Sequence, residues 1–187
     1  MKKAICYLVS DSPYSQSKHH STPELDKEHK GDYEDRTWRE RMHYDSNGVV
    51  FIPATQFMNS IKAAAKYLNI QIVGKGKSTY TKHFDSGVMV VDNLSLEVNK
   101  NDVERESVFV PSDGRVGGTT RVVKHFALIP KWEGSVTYYI LDNIITEDVF
   151  DKVLRECGSL IGVGRFRPRN RGWYGRFNVK KIEWFEE

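Results

Sequence analysis

Residues 162–177 read Gly-Val-Gly-Arg-Phe-Arg-Pro-Arg-Asn-Arg-Gly-Trp-Tyr-Gly-Arg-Phe. Arg165, Arg167, Arg169, Arg171 and Arg176 are interleaved with Phe166, Trp173, Tyr174 and Phe177, and no acidic residue falls between positions 162 and 181. Guanidinium groups supply donors for phosphates, and flat rings supply surfaces on which bases stack. Together they are the two ingredients of single-strand nucleic-acid binding, and the glycines let a backbone come close to a ligand. The plainer reading is a solvated loop whose rings pack on a sheet while its arginines keep the surface soluble. Some of the rings must be core, because the strand that follows needs an inward face.

The other chemistry-bearing residues are weaker signals. Gly76-Lys77-Ser78 resembles the end of a phosphate-binding loop, but Gln71 stands where its first glycine belongs and no apolar stripe for a helix follows over residues 79–87. Lys75 and Lys77 therefore read as a basic loop. Gly162-Val163-Gly164 lacks the third glycine of a dinucleotide fingerprint and follows a helix where that fingerprint follows a strand. The six histidines show no HExxH spacing and no cysteine partners at zinc spacing, since His19, His20 and His29 lie in a polar stretch and His43, His83 and His125 are scattered. Asp85, Asp92, Asp113 and Asp142 fall near turns, where aspartate bonds backbone. No metal, no cofactor and no catalytic residue is assigned.

At 187 residues the chain has room for one domain with a real core. Hydrophobic residues at 39% and charged residues at 28% exclude global disorder. Two cysteines, Cys6 and Cys157, exclude a disulfide scaffold and read as small core hydrophobes in a reducing, cytoplasmic compartment. No apolar run reaches the ~18–20 residues of a membrane span. Met1-Lys2-Lys3 and residues 4–9 imitate a signal peptide but stop at Ser10-Asp11, and read instead as a first strand. The net charge of +3 is too mild to identify a partner, but its distribution is uneven. Residues 24–40 are locally acidic, with Glu24, Asp26, Glu28, Asp32, Glu34, Asp35 and Glu40, whereas residues 162–181 are purely basic. Such asymmetry suggests a polyanion-binding edge.

The elements that must position these groups follow from periodicity. Residues 3–9 read as a strand, 10–47 as a long polar insertion with little periodicity, and 49–52 as a strand end. Pro53 opens a helix to Leu68 with Phe57, Ile61, Ala64 or Ala65, and Leu68 on one face. Residues 70–73 and 87–91 read as strands, and 121–129 with 135–141 as a hairpin. Thr146 caps a second helix that buries Val149, Phe150, Val153, Leu154 and Cys157 and stops at Gly158, before a closing strand over 174–185. This order predicts an α+β, ferredoxin-like (RRM-like) antiparallel sheet with two main helices, long insertions and a C-terminal glycine-rich loop, all within one domain over 1–187.

The loop at 162–177, set between the last helix and the last strand, resembles the glycine-rich loop of the repeat-associated (RAMP) RNA-binding proteins of CRISPR systems. Phe51-Ile52-Pro53-Ala54 leading into Ile61-Lys62-Ala63-Ala64-Ala65 is similar to the helix opening of their backbone subunits. The resemblance covers about half the chain. It implies a ferredoxin-like fold, a thumb-like excursion over about 95–121, and nucleic acid lying near Lys62, Arg115, Arg121 and the arginines of the loop. The chain is short for a backbone subunit, and no position matches the catalytic histidine of the RNA-processing members. Binding is carried over and cleavage is not.

The expected function is thus non-catalytic binding of single-stranded nucleic acid, RNA ahead of single-stranded DNA. The chain would coat its ligand as a homo-oligomer or serve or imitate a subunit of a CRISPR-type complex, in a phage or mobile-element setting and without membrane contact. Two rivals use other residues. One is a metal-independent endoribonuclease acting through His43 or His125, and the other is an interaction module docking a basic partner through residues 24–40.

Overall fold

Ala4, Cys6 and Leu8 are buried while Ile5, Tyr7 and Val9 are not, the period-two pattern of a strand with one face on a core. That strand, β1 (Lys2–Ser10), opens a computed structural model that describes residues 1–112 and 117–186. In chain order there follow α1 (Lys30–Thr37), β2 (Val49–Ile52), α2 (Ala54–Leu68), α3 (Thr81–Gly87) and β3 (Val88–Val90). Then come β4 (Leu94–Asn99), β5 (Glu104–Pro111), β6 (Arg121–Leu128), β7 (Glu133–Ile140), α4 (Glu147–Glu156) and β8 (Phe177–Glu186).

The main sheet has the order β3-β7-β1-β8 and every neighbouring pair is antiparallel. With α2 between β1 and β3, and α4 between β7 and β8, this is the βαββαβ connectivity of a ferredoxin-like fold. Cys6 lies opposite Val136 on one side and Ile182 on the other. One face of the sheet is covered by the two helices, whose Phe57, Ile61, Ala64 and Ala65 on α2 and Phe150, Val153 and Leu154 on α4 are all buried. No helix among the described residues is long and apolar enough to cross a membrane.

Four expectations are corrected. The hairpin between residues 121–129 and 135–141 does not form: β6 pairs with β5, from Glu104 opposite Leu128 to Pro111 opposite Arg121, while β7 enters the main sheet. The reason lies at Ile129, which exchanges both backbone hydrogen bonds with Tyr14, at 2.8 and 2.9 Å, just before Pro130 interrupts the strand. Residues 70–73 make only a bridge from Gln71 to Thr79, with Val73 turned outward, and α3, which the weak stripe over 79–87 concealed, follows on the buried ring of Phe84. Gly158 does not end α4. The chain continues through a wider turn, Cys157–Ile161, closed by the Gly162 N–H on the Cys157 carbonyl at 2.9 Å. Gly158 serves close packing, because a Cβ there would lie 2.0 Å from the Phe177 carbonyl oxygen. The cap at the other end is as expected, with Thr146 Oγ1 accepting from the Val149 N–H.

The fourth correction concerns residues 10–47, which contain α1 and a 3₁₀ turn (Trp38–Arg41) and donate Tyr14, Trp38 and Met42 to the core. The acidic side chains there are largely spent within the chain. Glu28 pairs with Arg36 at 2.7 Å, and Asp35 pairs with Arg105 of β5. Buried Glu34 binds Arg41 and accepts the His125 backbone N–H at 2.6 Å, so the segment is clamped to the β5–β6 ribbon. The Arg36 hydrogen bond holds the Glu28 carboxyl down at about 2. Burial pushes Glu34 up, but Arg41 and the His125 N–H together bring it below its ordinary value of 4.5. A carboxylate depressed in the folded state stabilises fully above its unfolded pKa, and that stabilisation disappears as pH falls through the folded value. The clamp is therefore expected to hold at neutrality and to be lost as pH falls from the ordinary carboxylate value of 4.5 through the lower folded-state value of Glu34. Near-ultraviolet circular dichroism and Trp38 fluorescence would follow it, and a Glu34→Gln variant, lacking the clamp already at pH 7, would show a flatter profile over that window.

Candidate nucleic-acid interface

The glycine-rich loop lies across the N-terminal half of α2 and against residues 13–16. Ser60 Oγ on α2 donates to the Gly162 carbonyl at 2.6 Å, and the Gly175 and Arg165 N–H groups donate to the Pro13 and Ser15 carbonyls at 2.8 and 2.7 Å. Gly164, at φ +79°, passes so close to Tyr14 and Ser15 that a Cβ would meet the Ser15 carbonyl oxygen at 2.3 Å. Further bonds stitch the loop to itself, Val163 N–H to Gly175 at 3.0 Å and Tyr174 N–H to Phe166 at 3.0 Å, around a 3₁₀ turn at Pro168–Asn170.

This frame sorts the basic and aromatic residues. Arg165 is committed to the fold: its Nε donates to Ser15 Oγ at 3.1 Å, its guanidinium pairs with Glu106 of β5 and lies 3.9 Å from the Phe126 ring centroid. Glu106 also accepts the Tyr174 hydroxyl at 2.6 Å, and Tyr174 is only 6% exposed, so its ring is closed to a stacking base. Burial pushes the Tyr174 phenol up to about 12, with Glu106 adding to the rise. Tyr174 is instead the support on which Trp173 and Phe166 rest, with ring centroids at 4.8 and 5.6 Å. Those two rings are open, at 50% and 44% exposure. Arg176 Nε donates to the Ser159 carbonyl at 3.1 Å.

Arg167, Arg169 and Arg171 have neither a hydrogen bond nor an ion pair to a side chain among the described residues. Arg169 and Arg171 are exposed, as are Phe166 and Trp173 of the same loop, whereas Arg167 is half-buried with its Nε turned inward; Arg171, at φ +62°, closes the 3₁₀ turn. The exposed Arg169 and Arg171, the half-buried Arg167 and two exposed rings on one loop make a surface suited to phosphates and stacked bases.

The remaining candidates lie apart from it. Lys62 is half a turn beyond Ser60 on α2. Lys75 and Lys77 sit on the exposed loop past the C-terminus of α2, a helix about 22 Å long, so they are at its far end from the glycine-rich loop. Arg121 starts β6, five residues or about 17 Å along the ribbon from Phe126, and bonds the Phe109 carbonyl at 3.4 Å. Arg115 lies outside the described residues. His125 has both ring nitrogens engaged, Nδ1 with Ser107 Oγ at 2.8 Å and Nε2 with Asp35 at 3.1 Å, and is buried. His43 packs near Phe51 and is half-buried, and burial with nearby Lys18 pushes its imidazole below its ordinary value. Glu106, which holds the loop through two contacts, escaped the sequence reading because a charged residue on an alternating strand carries no sign of what it faces.

No family model and no curated protein matches the chain. Among solved structures it superposes on a chain of the type III-B Cmr-beta complex bound to cognate target RNA, with a TM-score of 0.55 and 14% identity over 99% of its length. It spans only 61% of that chain. It also superposes on Cmr6 from Pyrococcus furiosus, with a TM-score of 0.50 and 13% identity over 96% of its own length and 99% of the other. At these identities the likeness is one of fold. The sheet order, the two covering helices and these superpositions together give the chain a ferredoxin-like fold, shared with a chain of the Cmr-beta complex and with Cmr6.

Proposed function

We propose that this protein binds single-stranded nucleic acid, RNA in preference to single-stranded DNA, without cleaving it. The observation that carries the reading is the set of unpaired arginines, Arg167, Arg169 and Arg171, on the same loop as the exposed rings of Trp173 and Phe166, a loop braced from behind by Tyr174 and Glu106. The backbone contacts fix the loop before any ligand arrives, which lowers the entropic cost of binding. In this reading the whole chain works as one ferredoxin-like unit, with residues 95–121 as a thumb-like excursion and Lys62 and Arg121 as outer contacts. It acts as a subunit of a CRISPR-type complex or imitates one, and copies line up along the strand. The shared fold with a chain of an RNA-bound Cmr complex supports that setting.

Fluorescence anisotropy against labelled single-stranded RNA, single-stranded DNA and duplex DNA at several salt concentrations tests it. Tight, salt-sensitive binding to single strands, strongest for RNA, is the expected result. No binding to any of the three at low salt would refute it as an activity of the protein alone. Trp173→Ala is expected to weaken binding roughly ten- to hundredfold, the worth of one stacking residue at ~1–3 kcal/mol. Unchanged affinity in the folded variant would remove Trp173 from the interface.

A further inference from the structure

Beneath the arginine loop lies a cavity of about 220 Å³, bordered by Gln16, Ser17, His43, Gln56, Gly164, Arg165 and Arg167. Arg167 belongs both to the arginine set of the loop and to this cavity, where its Nε is buried, while Gln16, Ser17 and Gln56 have no part in the surface described above. We propose that this cavity binds one phosphodiester group of the strand, held by Gln16 and Arg167, and so anchors the nucleic acid where it enters the loop. The proposal rests on the single-strand reading.

The argument is an account of donors. Gln16 is only 1% exposed, and its Oε1 accepts the backbone N–H of His43 at 3.2 Å. That bond fixes the amide orientation and leaves Nε2, a pure donor, buried without a partner. Gln56 is fixed in the same sense, its Oε1 accepting the Tyr14 hydroxyl at 3.0 Å, which leaves its amide N–H groups over. Arg167 Nε is likewise buried and unpartnered. Buried polar groups in folded proteins are nearly always satisfied, and two unmatched donors at one small cavity mark an absent acceptor.

The acceptor is anionic. No carboxylate borders the cavity, and the one acidic partner of Arg165, Glu106, is already shared with Tyr174. Burial and neighbouring Arg169 both push the Arg167 guanidinium below its ordinary pKa, as expected of a cation lacking its counter-charge. Gln56 also stands in the first turn of α2, whose positive end favours an anion. A phosphodiester has two unesterified oxygens, takes several hydrogen bonds at once, and is the group that recurs along a strand lying on Arg169, Arg171 and Trp173. The volume exceeds many times the ~30 Å³ share of a water.

The test uses the full-length, ¹⁵N-labelled protein. The side-chain amide signals of Gln16, assigned by their loss in Gln16→Met, are followed during titration with a single-stranded oligouridylate, with inorganic phosphate, and with sodium chloride at matched ionic strength. The oligouridylate is expected to shift them and chloride is not. In parallel, Gln16→Glu places a carboxylate of the same shape within the cavity, so that the protein supplies its own acceptor to Arg167. This variant is expected to unfold at a higher temperature than the wild type and to bind the oligouridylate at least tenfold more weakly. If the wild type binds the strand but the Gln16 signals stay in place and Gln16→Glu binds equally well, the proposal fails while the single-strand reading stands. If inorganic phosphate alone moves the signals and no strand binds, the cavity serves a free anion, and both the proposal and the single-strand reading are overturned.

Discussion

Gly164→Ala is expected to destabilise the protein by about 3 kcal/mol and to abolish tight single-strand binding. Two costs add at this position. A non-glycine residue in left-handed backbone costs about 1–2 kcal/mol, and Gly164 stands at φ +79°. The new Cβ would also lie 2.3 Å from the Ser15 carbonyl oxygen and 2.5 Å from Tyr14 Cε2, and overpacking of this kind costs about 1–3 kcal/mol. Tyr14 cannot withdraw, because it is fully buried and its hydroxyl is held by Gln56. The loop must therefore lift from residues 13–16, losing the Arg165 N–H bond to Ser15 and displacing Arg167 with it. Gly74→Ala is the comparison: Gly74 has a similar φ of +76° but nothing within 4 Å of the added Cβ, so only the backbone cost of about 1 kcal/mol is expected. Urea denaturation of both variants measures the difference, and equal losses would show that the contact with Tyr14 and Ser15 is not what holds the loop.

Replacing Arg167, Arg169 and Arg171 together by alanine is expected to lower affinity for single-stranded RNA about a thousandfold at low salt, leaving the fold intact. Three charge-assisted hydrogen bonds at about 1.5 kcal/mol each reach that figure. The salt dependence carries the sharper signature. Each phosphate contact on a single strand contributes ~0.7 to the slope of log K against log salt, so the slope should flatten by about 2. Arg165→Ala should behave in the opposite way. Its guanidinium is spent on Glu106, Ser15 and the Phe126 ring, so its loss should reduce stability and leave the slope nearly as it was. A triple variant with an unchanged slope would place the strand on another face of the molecule.

These two experiments separate residues that look alike in the sequence. Five arginines alternate with rings over residues 162–177, and nothing in their spacing distinguishes Arg165, locked to a ribbon some sixty positions earlier, from Arg169, which has no partner among the described residues. The same holds for the rings, since Trp173 and Tyr174 are adjacent and only one is exposed. Periodicity did reveal the local elements: the alternation in β1, the stripe of Phe57, Ile61, Ala64 and Ala65 on α2, and the Thr146 cap of α4. These depend on residues within a few positions of each other, whose faces are dictated by the helical and strand repeats.

What the chain's own order of residues determined was therefore the kind of protein: a ferredoxin-like α+β unit closed by a basic, aromatic, glycine-rich loop. What only the tertiary structure decided was partnership. A β-rich run such as β6 shows that a strand forms but not which strand it pairs with, and so its pairing with β5 in place of β7 could not be read. A buried glutamine with one donor left over is equally silent in sequence, because satisfaction of a hydrogen bond is a property of two groups and Gln16 meets His43 only when the insertion folds back on itself. Long-range contacts set by packing are not encoded in any local period, and the candidate interface is built almost wholly from them.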